Sequence, residues 1–166
     1  MHQRRRMSAT IIADASYCSR TKAAGYAYWI SADRGKHRGR GAPRIPPQDA
    51  TVAELMAVVV GIVKATNLQL VCRGETVLIQ TDCTSVVGLI NGNRKAREGQ
   101  EEEVFNFYRS HIKQYELHVS ARHVKGHTVR KEARFYVNRY CDSQAKKQMR
   151  LQRDLFENNN ESDAGV

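Results

Sequence analysis

ETVLIQTDCTSVVGLIN, residues 75–91, decides how this chain folds. A short apolar run bounded by Arg73-Gly74 ends in Asp82 and passes with no spacer into CTSVVGLIN, which has the apolar spacing of a helix. That is a strand leading into a helix. Upstream, ATIIADASY (9–17) and GYAYWISA (25–32) flank the turn-like SRTKAA and read as a hairpin. The basic, Gly-rich and then Pro-rich RGKHRGRGAPRIPPQD (34–49) suits an exposed third strand ending at Pro46 and Pro47. TVAELMAVVVGIVK (51–64) is apolar nearly all round, and its length argues for a buried helix despite the three adjacent valines. Downstream, EEEVFNFYRSHIKQY (101–115) carries acids first and bases last, as a helix dipole prefers; LHVSARHV (117–124) is the last strand. A final helix is expected from about Ala133 to Arg150 or beyond. The order β-β-β-α-β-α-α-β-α predicts an α/β fold: a mixed five-stranded sheet flanked by helices. Sites in such folds gather at the carboxyl ends of parallel strands.

The bulk properties set limits on partners. The 166 residues fit one domain, since domains most often hold roughly 100–150 residues. Lys and Arg outnumber Asp and Glu by 27 to 17, for a formal charge of +10, which favours a polyanion such as nucleic acid. Residues 151–166 hold Arg153 against Asp154, Glu157, Glu161 and Asp163, so the body is more basic than the total. The expected organisation is a basic extension over residues 1–8, one folded domain over 9–150 and an acidic, disordered tail over 151–166. Cys18, Cys72, Cys83 and Cys141 are scattered with no CxxC pair, which indicates neither a zinc site nor a disulfide framework and fits a reducing cytoplasm. No signal peptide and no stretch of membrane-spanning length is read, so a cytoplasmic protein with no membrane partner is expected.

Five polar positions stand out, each with an ordinary reading beside a functional one. Asp14 and Asp82 each follow an apolar run; if their strands are parallel neighbours, the two carboxylates lie within reach of one hard cation such as Mg²⁺. Equally, each could close its strand as a turn or cap residue, and a helix starts right after Asp82. Glu54 fits a capping box, Thr51-Val52-Ala53-Glu54, in which it bonds back to the cap N–H. His127 on a basic loop reads as exposed, and Asp142 as a surface acid pairing with Lys146 at i+4.

Together, ADAS (13–16), AELMA (53–57), IQTDCTSV (79–86), VKGH (124–127) and NRYCDSQA (138–145) occur in an order that resembles the ribonuclease H family, type 1. VKGH followed by N-x-x-C-D-x-x-A is the most specific part. The resemblance spans residues 10 to about 148 and implies a ribonuclease H-like fold. It also implies metal-binding carboxylates at Asp14, Glu54, Asp82 and Asp142, a catalytic histidine at His127, and two Mg²⁺ ions, with Mn²⁺ as the alternative. The implied activity is two-metal hydrolysis of the RNA strand of an RNA–DNA hybrid, leaving 5′-phosphomonoesters, by a monomer with no small-molecule cofactor. Two metal ions would supply an activated water, a stabilised leaving group and charge compensation on the phosphate.

Ser16, Thr51 and Thr84 are candidates by position for reading the 2′-OH, and Lys125 and Asn138 for further substrate contacts, although the first three also fit caps or turns. The chain departs from the family pattern at Ala15, at the Ala50–Ala53 stretch that lacks an Asn before Glu54, and at His123 where a Trp is usual. These departures bear on hybrid specificity and leave the carboxylates intact. The span from Asp82 to His127 is short for an extra basic helix, so Arg94, Lys95 and Arg97 are expected to take over part of its grip. Two other functions remain open: a nuclease acting on DNA structures such as junctions, and a non-catalytic nucleic-acid binding module.

Overall fold

The computed structural model of the chain describes residues 7–124 and 133–163. Strands β1 (Met7–Tyr17), β2 (Ala24–Ala32) and β3 (Gly35–Gly41) form a meander. Helix α1 (Ala50–Asn67), strand β4 (Thr76–Thr81), helices α2 (Thr84–Ile90) and α3 (Gln100–Gln114), strand β5 (His118–His123) and helix α4 (Ala133–Asp163) follow. The five strands make one sheet in the order β3-β2-β1-β4-β5, antiparallel through the meander and parallel across β1-β4-β5. This is the expected mixed sheet and the expected element order. β3 occupies an edge as predicted, though it stops at Gly41, well short of Pro46.

Both faces of the sheet are covered, which is why β1 reads as a near-continuous apolar run rather than a clean alternation. Ala9, Ile11 and Ala13 face the larger core with Leu55, Val58 and Ile62 of α1. Ile12 faces the other way, into a smaller cluster with Ala27 of β2 and Cys141 and Ala145 of α4. The approach of α4 is close at Gly25, where an added Cβ would lie 2.3 Å from both the Ala145 carbonyl O and the Met149 N. The hairpin between β1 and β2 turns at Lys22, whose φ of 63° lies in the left-handed region.

Three sequence expectations change. The N-cap of α1 is Asp49, whose Oδ1 accepts the Val52 N–H at 2.9 Å; Glu54 therefore closes no capping box and is left to point elsewhere. The N-cap position of α2 falls on Cys83, not on Asp82. The segment expected as a disordered tail is helical through Asp163, making α4 about 46 Å long. Composition misled there because the segment is acidic and Asn-rich; it also has no Gly or Pro before Gly165, and Arg20 in the hairpin pairs with Glu157. In addition, α1 has the length and apolar composition to cross a membrane, which the sequence reading did not register; in this fold it packs against β1, β2 and α3 as the core helix.

Candidate metal centre

Register brings the first two acids together. β1 and β4 run parallel with Ile12 opposite Gln80, so two residues further along each strand Asp14 and Asp82 emerge side by side at the carboxyl ends. Glu54, one turn inside α1, reaches across from the helix layer: its Oε2 accepts the Ala15 N–H at 3.2 Å, the same N–H that Asp14 Oδ1 accepts at 2.9 Å. One ligand oxygen from each of Asp14, Glu54 and Asp82 lies within 4.8 Å of the others. His123 helps fix the third, its Nε2 lying 3.1 Å from the Asp82 carbonyl O, an N–H donation that requires the Nε2–H form of the ring.

The electrostatics of this cluster are unfavourable as it stands. Asp14 is 2% exposed, and its Oδ2 is buried with no hydrogen-bond partner. Burial first, and then the charge of Asp82, push its carboxyl up to about 7, against hydrogen bonding by Glu54 and Ala15. Glu54 is raised well above the ordinary carboxylate range by burial and then by the charges of Asp14 and Asp82. Groups held this way bind protons or cations, and an all-oxygen set with an orphaned carboxylate oxygen fits a hard divalent ion such as Mg²⁺ or Mn²⁺.

Asp142 stands at the margin. Its charge contributes to raising Asp14, so it is near, yet the tight group of three excludes it, and its Oδ2 accepts from Lys146 Nζ at 2.9 Å. The i+4 pairing expected from sequence is therefore made. What holds Asp142 near the cluster is its neighbour Cys141, fully buried with its thiol 3.9 Å from the Ile12 carbonyl O and pushed up to about 12 mainly by burial.

The other predicted residues divide. Ser16 follows Asp14 on the same face of β1, Thr51 lies one turn before Glu54, and Thr84 opens α2 just after Asp82, so each is a near neighbour of one acid along its own element. Asn138 does not present an open contact: it is 4% exposed with Oδ1 unpartnered, one turn before Asp142 on the packed side of α4. Lys125 and His127 lie outside the described residues.

Arg94 and Arg97 make their ion pairs within the chain. Both are engaged by Glu101, which is fully buried and accepts from Arg94 Nη1 and Nη2 at 3.1 and 2.8 Å and from the Arg97 N–H at 2.6 Å. Arg97 also donates to Asp49 Oδ2 at 2.8 Å, tying the start of α3 to the cap of the helix that carries Glu54. Sequence reasoning took Glu101 for one of three dipole acids, and nothing in EEE distinguishes the buried one. Of the expected trio, Arg97 and Lys95 are both exposed, and Lys95 is the one whose side chain takes no part in this network.

Comparison with known proteins was made on this geometry. The family model described as RNase H matches residues 6–150. No curated protein matches the sequence. Among solved structures, the N-terminal RNase H domain of Rv2228c from Mycobacterium tuberculosis, studied as a fusion with maltose-binding protein, superposes with a TM-score of 0.69 at 18% identity, covering 93% of this chain and 99% of that one. LC11-RNase H1, solved in complex with an RNA/DNA hybrid, gives 0.66 at 17% identity and covers 85% of this chain and 96% of its own. RNase H1 from the halophilic archaeon Halobacterium salinarum gives 0.66 at 13%, again over 85% and 96%.

Proposed function

Because the chain belongs to the ribonuclease H family, its family match covering most of the sequence, we propose that it is a metal-dependent endoribonuclease that hydrolyses the RNA strand of RNA–DNA hybrids and leaves 5′-phosphate ends. The observation that carries this reading is the trio of a buried Asp14 with half-buried Glu54 and Asp82, converging from two parallel strands and a helix in a protein of charge +10. A protein that only bound phosphate would gain nothing from burying clustered negative charge beside its ligand. Bound divalent ions, two in the proposed mechanism, would supply an activated water and charge compensation on the scissile phosphate.

The chain's own residues divide the remaining work. Asp14, Glu54 and Asp82 would hold the ions, with Asp142 completing the set once it exchanges Lys146 for a cation. The shared Ala15 N–H orients Asp14 and Glu54 toward one point before anything binds. Ser16, Thr51 and Thr84, neighbours of the acids in sequence, would read the 2′-OH that distinguishes RNA from DNA. His127 would move protons to or from the reacting phosphate or its products.

The test is a labelled RNA–DNA hybrid beside RNA–RNA and DNA–DNA duplexes, in Mg²⁺ and in chelator, with Asp82→Asn as the control. Metal-dependent cutting of the hybrid's RNA strand alone, lost in Asp82→Asn, is expected. Cutting that survives the substitution, or that falls equally on the DNA duplex, overturns the reading.

A further inference from the structure

Below the acids, on the side of the sheet that α4 covers, a cleft of about 480 Å³ opens between the sheet and the first turns of α4. Strand parity fixes its relation to the metal centre. Gln80 and Asp82 point to the same face of β4, as Ile12 and Asp14 do on β1, so the cleft begins one side-chain pair, about 7 Å, below the carboxylates.

The lining of this cleft is unusual for a packed sheet face. Gln80 is 3% exposed, yet among the described residues its side-chain amide has no hydrogen-bond partner. An amide that lines an open cleft with no partner from the chain is left to water or to a ligand that enters. Lys36 of β3 and Arg122 of β5 stand on opposite sides of the cleft, exposed and without a carboxylate partner among the described residues. Tyr136 of α4 presents a ring 59% exposed that stacks on no other described ring, and Trp29 of β2 forms the wall facing it. Arg38, one pair along β3 from Lys36 on the same face, lies over both Trp29 and Tyr140 and holds the indole in place.

We infer that this cleft is a subsite for one unstacked nucleotide of a single-stranded nucleic acid, with the base against Tyr136 and Trp29, its polar edge on Gln80, and flanking phosphates on Lys36 and Arg122. Aromatic faces combined with cations placed to follow a backbone are the chemistry of single-strand binding. A base inside a duplex has both faces covered by its neighbours and cannot enter. The natural occupant is therefore a single-stranded extension next to the hybrid. The inference rests on the reading of this chain as acting on nucleic acid, but not on its cleaving anything.

Trp29 is the sole tryptophan and lines the cleft, so its fluorescence reports occupancy directly. The full chain is titrated in chelator with a short single-stranded RNA, with a blunt RNA–DNA hybrid, and with the same hybrid carrying an RNA overhang. Quenching by the single strand and by the overhang hybrid, and not by the blunt one, is expected. Tyr136→Ala should weaken single-strand binding about tenfold. Lys36→Ala with Arg122→Ala should reduce the salt dependence by about two phosphate contacts, a slope change of roughly 1.4. These three side chains are exposed, and circular dichroism checks that the variants fold. Unchanged Trp29 emission with the single strand, equal quenching by the blunt hybrid, or quenching indifferent to both variants overturns the subsite. If hybrid cleavage by the unaltered protein persists while the quench is absent, the subsite alone fails; a quench without cleavage under any metal leaves the subsite and removes the nuclease.

Discussion

Replacing Glu101 by Gln tests the strongest structural link outside the metal centre. The side chain is fully buried, and its two oxygens accept from both Arg94 Nη atoms and from the Arg97 N–H, Nε and Nη2. Donation by Arg94 first, opposed by burial and aided by Arg97, holds the carboxyl down at about 2, from an ordinary value of 4.5. At 1.36 kcal/mol per pKa unit, that difference corresponds to about 3 kcal/mol of stability at neutral pH. Gln keeps the shape but turns an NH₂ toward a guanidinium, leaving donor against donor, and breaking a buried pair typically costs about 3–5 kcal/mol. We expect a loss of about 3 kcal/mol, or roughly 6–12 °C in Tm for a chain of this size. The sign with pH is fixed: a depressed folded-state pKa adds stability above the unfolded value and loses it as pH falls from about 4.5 toward 2. Urea unfolding followed by Trp29 emission should therefore show a wide gap between the two proteins at neutral pH that narrows on acidification through that window. A gap below about 1 kcal/mol at neutral pH, or one that does not change with pH, would refute the assignment.

Three other outcomes follow from particular contacts. Mg²⁺ at about 100 times its Kd should add about 2.7 kcal/mol to the unaltered protein, and Asp14→Asn should abolish this gain in thermal unfolding; an undiminished gain would move the ion elsewhere. Gly25→Ala drives a methyl group against the backbone of α4 and should cost about 3 kcal/mol in chemical denaturation, whereas a loss within about 0.5 kcal/mol would contradict the close approach. Asn91 pairs its side-chain amide with the outward N–H and C=O of Ala121 on edge strand β5, both at 2.8 Å, so Asn91→Ala should cost about 1 kcal/mol and open the edge to self-pairing. Light scattering against concentration reads the second effect, and unchanged scattering would show that the edge is guarded by something else.

Much of the fold was legible because its signals are local. Strand β4 running into α2 at Asp82 and β1 ending near Asp14 were both readable, but that the two strands are parallel neighbours, which sets the acids at matching ends, is a fact of the sheet. Glu54 was ambiguous in sequence because a capping box and a metal ligand place the same acid at the same position of a helix. Only the cap made by Asp49, upstream of the apparent box, resolves it. The helical continuation of α4 was hidden for a different reason: disorder was read from charge and composition, whereas the helix depends on an unbroken run without Gly or Pro and on Arg20, far away in sequence. The engagement of Arg94 and Arg97 was equally invisible, since a cation's partner is a tertiary fact.

The placement of charge in this chain also explains how it can be strongly basic around a cluster that repels itself. Buried carboxylates destabilise a fold unless a cation or proton answers them, and burying Asp14 beside Asp82 and Glu54 raises both Asp14 and Glu54. The fold tolerates this because the acids sit at its periphery in topology, at strand ends and one turn into a helix, while the interior of the sheet between Ile11, Ile79 and Leu55 is purely apolar. Glu101 shows the opposite solution, a buried acid answered within the chain by two arginines. The contrast separates the two acids: an acid needed only for stability brings its cations with it, whereas Asp14 keeps an oxygen with no partner, as the proposed role of metal ligand requires.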